Sequence, residues 1–340
     1  MTRPLRVGVA GTGSLGYHHA RLLRGVDGVT FAGIYEANAE RAAKVASELG
    51  VQAHATLDAL LANADAISVV TPTKAHHAVA KAALTAGKHL LIEKPITATI
   101  DEADELIALA RQKGVLVQIG HIERFNRAIR AALPHVDHPL FIDSDRLAPF
   151  NPRGADVAVV LDLMIHDIDL LLTLTGARVS SISAVGIPVL TPSIDIANAR
   201  ITFESGAVAT ITASRVSKDR MRKVRIFQRN GYLSLDLAAG TGEMYRLRTG
   251  MDLAALAKSA QPLEAFVERV AIDAPDGEPL KLELESFVAA LRGASRVAVT
   301  AEDGRDALAV ALRIVHDIEK SLPAGHAAAV AAAAAARASA

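Results

Sequence analysis

The chain has no cysteine and no tryptophan among its 340 residues, and aromatic side chains make up only 4%. Without thiols there can be no disulfide, iron–sulfur cluster, thiolate nucleophile or cysteine-bound zinc. Scarce aromatics leave the cores to Ala, Leu, Val and Ile. An excess of either charge is missing too, since 37 Lys+Arg balance 37 Asp+Glu, which does not suit a nucleic-acid binder working through bulk charge. Long unbroken apolar runs are also lacking. Leu5–Ala10 is short and runs straight into glycine, unlike a signal peptide. The stretch from Val157 to Leu174 is interrupted by Asp162, His166, Asp167 and Asp169, unlike a membrane span. What is present is 51% hydrophobic and 22% charged residues, ample for packed cores, in a length that suits about two domains. The expectation is a globular cytoplasmic protein that engages neither nucleic acid nor membrane.

Residues 1–120 alternate short apolar runs with helical patterns. Leu5–Ala10, Val29–Tyr35, Ala66–Val70, His89–Ile92 and Val115–Ile119 read as buried parallel strands. Ser14–Arg24, Asn38–Leu49, His76–Ala86 and Asp101–Lys113 read as the helices between them, with Asn38 and Asp101 as N-caps and Gly50, Gly87 and Gly114 as terminating glycines. The pattern predicts an α/β Rossmann domain with a doubly wound parallel sheet. Beyond residue 120, helices at Glu123–Leu133 and Asp162–Leu174 are followed by strands Val179–Ile187, Ile196–Phe203, Ala207–Ala213, Val224–Gln228 and Tyr232–Leu237. Glu204-Ser205-Gly206 and Asn230-Gly231 are hairpin turns between them. Consecutive hairpins predict an α+β second domain, 121–300, with a large open, mostly antiparallel sheet. Helices Leu280–Leu291 and Ala301–Leu322 close the chain, the last packing back on the first domain, before an Ala-rich tail at 323–340.

Gly11-Thr12-Gly13-Ser14-Leu15-Gly16 is a G-x-G-x-x-G turn between the first strand and first helix. Its glycines permit a tight turn, close backbone approach to a pyrophosphate, and close helix–strand packing, and the helix N-terminus favours the anion. Glu36 stands at the end of the second strand, where a carboxylate accepts from ribose hydroxyls and repels a 2′-phosphate, so NAD is the expected cofactor. Arg41 reads as solvent-facing. The turn, Glu36, Thr71-Pro72, Glu93-Lys94-Pro95 and Gly120-His121 each follow a strand, so all lie on the carboxyl edge of the sheet, where such folds bind ligands.

Two groups on the chain suit proton chemistry. Lys94 is commonly the sort of lysine that is a surface cation, but beside a cationic nicotinamide and partly buried its pKa would fall toward neutrality. A cis Lys94–Pro95 peptide is a further expectation. Asp162, His166 and Asp169, at i, i+4 and i+7, form one polar stripe on an otherwise apolar helix. The stripe reads either as an internal Asp–His tie, or as a base, His166, oriented by Asp162 and facing a polyhydroxyl substrate that Asp169 also holds. The other histidines, including His18-His19 and His135/His138, read as surface or packing residues. No H-E-x-x-H or G-x-S-x-G occurs, so neither a catalytic metal nor a hydrolase is expected.

These residues resemble a known family. The glycine turn, Thr71-Pro72 with His76 four residues on, Ala-Gly-Lys-His at 86–89, Glu93-Lys94-Pro95 and Asp162-x-x-x-His166-x-x-Asp169 are similar to the glucose-fructose oxidoreductase, inositol dehydrogenase and rhizopine catabolism (Gfo/Idh/MocA) family. The resemblance spans nearly the whole chain. It implies that Lys94 and His166 act beside nicotinamide and a substrate hydroxyl with Asp162 in support, that Thr71, Pro72, His76, Glu93 and Lys94 join the cofactor site, and that Arg124 and Asn126 line the sugar pocket. Met164 stands where many members have glycine. The runs Gly120–Asn126, Arg146–Phe150, Asp162–Asp169, Ser214-Arg215-Val216 and the basic Arg220–Arg225 resemble the subgroup that oxidises the 3-hydroxyl of UDP-N-acetylglucosamine. That subgroup feeds a 3-keto sugar to a PLP aminotransferase for lipid A-like glycolipids. The resemblance further implies a homodimer or homotetramer. A free inositol or hexose dehydrogenase, or a dinucleotide-sensing regulator, are the alternatives.

Overall fold

The structure is a computed structural model and describes residues 3–152, 154, 157–248 and 266–322. The Ala-rich tail, 323–340, lies outside these residues. The chain divides into two compact units, Met1–Phe125 with Gly277–Ala309 and Asn126–Asp276 with Val310–Ala340.

The first unit holds a parallel sheet of β1 (Leu5–Ala10), β2 (Val29–Tyr35), β3 (Ala53–His54), β4 (Ala66–Val69), β5 (His89–Glu93) and β6 (Val117–Gly120), in the order β3-β2-β1-β4-β5-β6. Strand order reverses between β1 and β4, which opens a crevice at their carboxyl ends. The crossovers are α1 (Ser14–Leu23), α2 (Ala39–Leu49), α3 (Leu57–Asn63), α4 (Thr73–Thr85) and α5 (Ile100–Lys113). Helices cover both faces, so Val7, Val9, Ile34, Ile67, Leu90, Leu91 and Ile92 are all fully buried. Asn38 caps α2, accepting from the Arg41 N–H at 2.9 Å. At α5 the cap is Thr99 rather than Asp101: Thr99 and Glu102 form a reciprocal capping box, and a T-x-x-E pair satisfies two helix-end donors where Asp101 alone satisfies one. β3 and α3 are additions to the sequence reading.

The second unit is built on β7 (Phe141–Leu147), β8 (Val179–Ile187), β9 (Ile196–Phe203), β10 (Val208–Ser214), β11 (Met221–Gln228), β12 (Gly231–Asp236), β13 (Thr241–Leu247) and β14 (Val267–Ala271). Their order is β14-β13-β12-β11-β7-β10-β9-β8, antiparallel throughout except for the central β7/β10 pair. β7, β13 and β14 join the five strands read from the sequence. The expected helix at Glu123–Leu133 is broken: Ile122–Phe125 is a 3-10 turn, and Asn126 caps a short α6 (Arg127–Ala132). The expected helix at Asp162 starts as a π turn, Val160–Met164, and continues as α7 (Ile165–Thr175).

Two helices complete the described chain. α8 (Pro279–Leu291) places Leu280, Leu284, Phe287 and Val288 in one core with Val7, Val9 and Leu23, so it lies in the first unit although its position in the chain groups it with the second. Its apolar face finds its partner on α1 and β1, and burial rather than chain order decides. α9 (Ala301–Ser321) starts in the first unit, where Arg305 bonds Asp104 at 3.0 Å, and ends in the second, where Asp317 accepts the Ala184 N–H at 2.8 Å. Among the described residues no helix is long and apolar enough to cross a membrane.

Candidate active site

The glycine turn joins β1 to α1. Gly11 adopts φ +89°, and a Cβ on it would lie 2.7 Å from the Val70 carbonyl and the Thr71 N–H group. A Cβ on Gly16 would lie 2.0 Å from the Gly11 carbonyl oxygen, so the third glycine is what lets α1 seat on the turn. Gly13 differs, with nothing within 4 Å of its Cβ position. It is also the N-cap of α1 and makes no side-chain capping bond, so Ser14, Leu15 and the first turn of the helix offer their N–H groups to this open side.

Glu36 directs its carboxylate into the turn. Its Oε2 accepts from the Thr12 N–H at 2.7 Å and the Thr12 hydroxyl at 3.2 Å, and Oε1 accepts from the Asn38 N–H at 3.1 Å. Arg41 is not solvent-facing as its place on α2 suggested. Its Nε donates to the Thr12 carbonyl at 2.8 Å and Nη2 to the Gly13 carbonyl at 3.4 Å, because the carbonyls of a turn whose N–H groups point to one side need donors on the other.

The rim continues across β4 and β5. His76, buried on α4, spans two turns, with Nε2 2.8 Å from the Thr71 carbonyl and Nδ1 2.9 Å from the Pro95 carbonyl. It therefore ties Thr71-Pro72 to Lys94-Pro95. The Lys94–Pro95 peptide is cis, as expected from the sequence. The Thr71 hydroxyl is buried with no hydrogen-bond partner among the described residues. Lys94 is half-buried, and its backbone N–H donates to Glu93 Oε2 at 3.2 Å. Glu93 itself is buried and engages His19, which is a surface or packing residue on its sequence alone but is fully buried here and hydrogen-bonded on both ring nitrogens. A histidine facing a carboxylate across the sheet leaves no local sequence mark.

The second unit carries the polar helix. Asp162, in the π turn, and His166, in the first turn of α7, are half-buried, while Asp169 is 1% exposed. A π turn is one residue wider than an α turn and is frequent at functional sites. Gly154, at φ +81°, lies so close that a Cβ on it would sit 2.9 Å from Asp162 Oδ2. Asp167, Arg146, Ser144 and Arg215 brace this segment, a role that the sequence reading did not give them. Asp167, next to His166, accepts from Arg146 Nε at 2.6 Å and the Ser144 hydroxyl at 3.0 Å, all three buried. Arg215 donates to the Gly154, Val157 and Ile194 carbonyls and so holds the segment before the π turn.

The remaining expected site residues have partners within their own units. Arg124 bonds the Ala298 carbonyl at 3.2 Å and the Asp303 carboxylate at 3.4 Å. Asn126 is buried, capping α6 through Oδ1 and donating to the Leu237 carbonyl at 2.9 Å. The basic run splits by strand alternation: Arg225 and Lys223 share the open sheet face, where Arg225 pairs with Asp143 at 2.6 Å and Asp145 at 3.2 Å, and Arg222 points to the other.

The first unit defines a dinucleotide-binding protein. An open Gly13, an uncapped helix N-terminus, a carboxylate after β2 and an unpartnered Thr71 hydroxyl on the rim fit the phosphates, ribose and amide of NAD. Residues 5–121 match the oxidoreductase family with NAD-binding Rossmann fold, and residues 119–234 match the GFO/IDH/MocA C-terminal domain. A UDP-N-acetylglucosamine 3-dehydrogenase of Acidithiobacillus ferrooxidans is 40% identical over 94% of this chain and 98% of its own. Its solved structure superposes with a TM-score of 0.85 at 39% identity, covering 93% of this chain and 98% of that one. An NAD(+)-dependent scyllo-inositol 2-dehydrogenase of Bacillus subtilis is 30% identical over 64% of this chain and 69% of its own. The chain belongs to the Gfo/Idh/MocA family and is an NAD-dependent oxidoreductase.

Proposed function

We propose that this protein oxidises the 3-hydroxyl of UDP-N-acetylglucosamine to the 3-keto sugar. The observation that carries this reading is its likeness, over nearly the whole chain, to an enzyme named for that reaction. Glu93-Lys94-Pro95 and Asp162-x-x-x-His166 support it as residues suited to the chemistry. NAD, when bound, supplies the hydride acceptor. His166, or Lys94 in concert with it, takes the hydroxyl proton, and protonated Lys94 stabilises the developing alkoxide. Asp162 orients the imidazole. Asp169, Arg124 and Asn126 are the proposed sugar contacts, and Gly11–Gly16, Glu36, Thr71, Pro72, His76 and Glu93 form or support the cofactor cradle.

The product goes to a PLP aminotransferase for an amino sugar of a lipid A-type glycolipid, in the cytoplasm. A homodimer or homotetramer forms through the open sheet face. On that face Phe141, Phe227, Tyr232 and Tyr245 make a cross-strand aromatic ladder with centroid spacings of 5.7, 4.7 and 6.1 Å, and Phe227 is 39% exposed.

The test is product mass. With NAD present, UDP-N-acetylglucosamine should yield a UDP-sugar lighter by two hydrogen atoms. Free N-acetylglucosamine and myo-inositol should turn over far more slowly. The likeness to an inositol dehydrogenase supports a second reading as a free cyclitol dehydrogenase, which faster turnover of myo-inositol would establish instead.

A further inference from the structure

Next to Lys94 in the chain, Glu93 belongs to a buried polar cluster whose other members the proposed reaction leaves unused. His19 on α1, Glu93 at the end of β5 and Glu283 on α8 are 0%, 7% and 0% exposed. One ring nitrogen and one oxygen from each carboxylate lie within 4.8 Å of one another. His19 Nε2 is 3.1 Å from Glu93 Oε1, and Nδ1 is 2.8 Å from the hydroxyl of Ser68, itself buried on β4. A carboxylate can only accept, so the imidazole presents an N–H at Nε2, while Nδ1 meets the Ser68 hydroxyl. The other oxygen of Glu93 accepts the Lys94 backbone N–H at 3.2 Å. The carboxylate lies flat across β6: a Cβ on Gly120 would meet Oε1 at 2.7 Å and Oε2 at 3.0 Å. So the His19 ring, the Lys94 backbone N–H and the close backbone of Gly120 fix one carboxylate beside the lysine at the rim.

We propose that Ser68, His19 and Glu93 form a buried positioning relay for Lys94, in which His19 holds the Glu93 carboxylate in place and that carboxylate sets the position and electrostatic surroundings of the amine. Burial alone pushes the Glu93 carboxyl up, but the hydrogen bond and charge of His19, followed by the charge and N–H of Lys94, outweigh it and hold Glu93 below the ordinary carboxylate range. Among the described residues, the charged or titratable groups set against Glu93 are His19 from α1, Glu283 from α8 and Lys94 beside it on the chain, while β6 brings Gly120 against it and the neutral Gln118, which bonds the Glu283 carbonyl. An ionised Glu93 favours the ammonium form of Lys94. Removing that charge lowers the lysine pKa, and the rate limb governed by Lys94 moves to lower pH whichever of its forms the reaction uses.

The inference rests on the proposed role of Lys94, and the experiment keeps the two apart. The pH profile of kcat with NAD and UDP-N-acetylglucosamine is recorded for the wild type, Lys94→Ala, Glu93→Gln, His19→Ala, His19→Gln and Ser68→Ala. Glu93→Gln should move the limb down by about half a unit or more. His19→Ala should move it the same way with kcat about tenfold lower, and His19→Gln, which restores an N–H toward Glu93, should recover most of both. Ser68→Ala removes one buried hydroxyl and should shift the limb slightly in the same direction, so the test survives if the Glu93 variant does not fold. Loss of turnover in Lys94→Ala beside unmoved limbs in the other variants overturns the relay alone. Wild-type turnover in Lys94→Ala overturns the role of Lys94 and the relay with it.

Discussion

Arg146 on β7 grips Asp167 on α7 with both arms of its guanidinium, Nε 2.6 Å from Oδ2 and Nη2 3.2 Å from Oδ1, with both side chains buried. The pair fastens the helix of His166 to the centre of the second sheet, one residue from the proposed base. Breaking a buried pair leaves the survivor charged and desolvated. Arg146→Met and Asp167→Leu should therefore each lower stability by about 3–5 kcal/mol, whereas the double variant should lose much less than their sum. Urea denaturation of the four proteins checks this. Simple additivity would show that the two residues act independently.

Turnover itself depends on Lys94 and His166 under the proposed reaction. Lys94→Ala and His166→Ala should each reduce kcat by about 10²-fold or more while NAD still binds, since the cradle of Gly11–Gly16 and Glu36 is untouched. Steady-state rates and NAD titration by fluorescence provide the check. A near-wild-type kcat in either variant removes that residue from the mechanism.

How much of this was legible in the sequence depends on whether neighbours in space were neighbours in the chain. The first sheet was readable because β1, β2, β4 and β5 are apolar runs bounded by helices, and the rim followed because a parallel sheet collects its carboxyl ends. β3, with two residues, was too short to give a period. β7 was missed for a different reason: its inward positions are Ile142, Ser144 and Arg146, so the face that should read apolar is mostly polar. That same substitution of polar for apolar is what allows Asp167 to be buried on α7. Likewise the Asp162-x-x-x-His166 spacing was plain, but the π turn was not, and the roles of Arg41, His19 and Arg215 depend on partners far along the chain. The turn glycines announced themselves, and what braces them did not.

Asp65 makes the acid stability of the first unit a test of its packing. Its carboxylate accepts from Arg6 Nη2 at 2.8 Å, the Arg6 N–H at 2.9 Å and Arg3 Nη2 at 3.1 Å, which joins the start of β4 to β1. The Arg6 side chain, aided by its backbone N–H and by Arg3, holds the Asp65 carboxyl far below the usual range against the opposing effect of burial. A depressed carboxyl contributes stability that is complete above its unfolded value, about 3.9, and disappears as pH falls through the folded value. Asp65→Asn should therefore be less stable than the wild type at pH 7, and the gap should close as pH drops below about 4. Urea midpoints across that range measure it. A gap that stays constant into acid would assign the effect to lost packing instead of charge.

Cofactor choice should turn on Glu36 and Arg41 together. Glu36 accepts from both donors of Thr12, and Arg41 holds the Thr12 carbonyl from the other side, so a carboxylate and a guanidinium meet on one residue of the phosphate turn. While Glu36 is present its charge opposes a 2′-phosphate and its oxygens suit ribose hydroxyls. Glu36→Ser removes both effects and leaves Arg41 as a cation on the turn. The KM for NAD should rise about tenfold or more, as expected for loss of a charged hydrogen-bond acceptor, and the preference for NAD over NADP should shrink or reverse. Adding Arg41→Ala should abolish the gain toward NADP without restoring NAD. The kcat/KM ratio for the two cofactors in each variant measures this. An unchanged ratio in Glu36→Ser would mean that discrimination lies elsewhere on the rim.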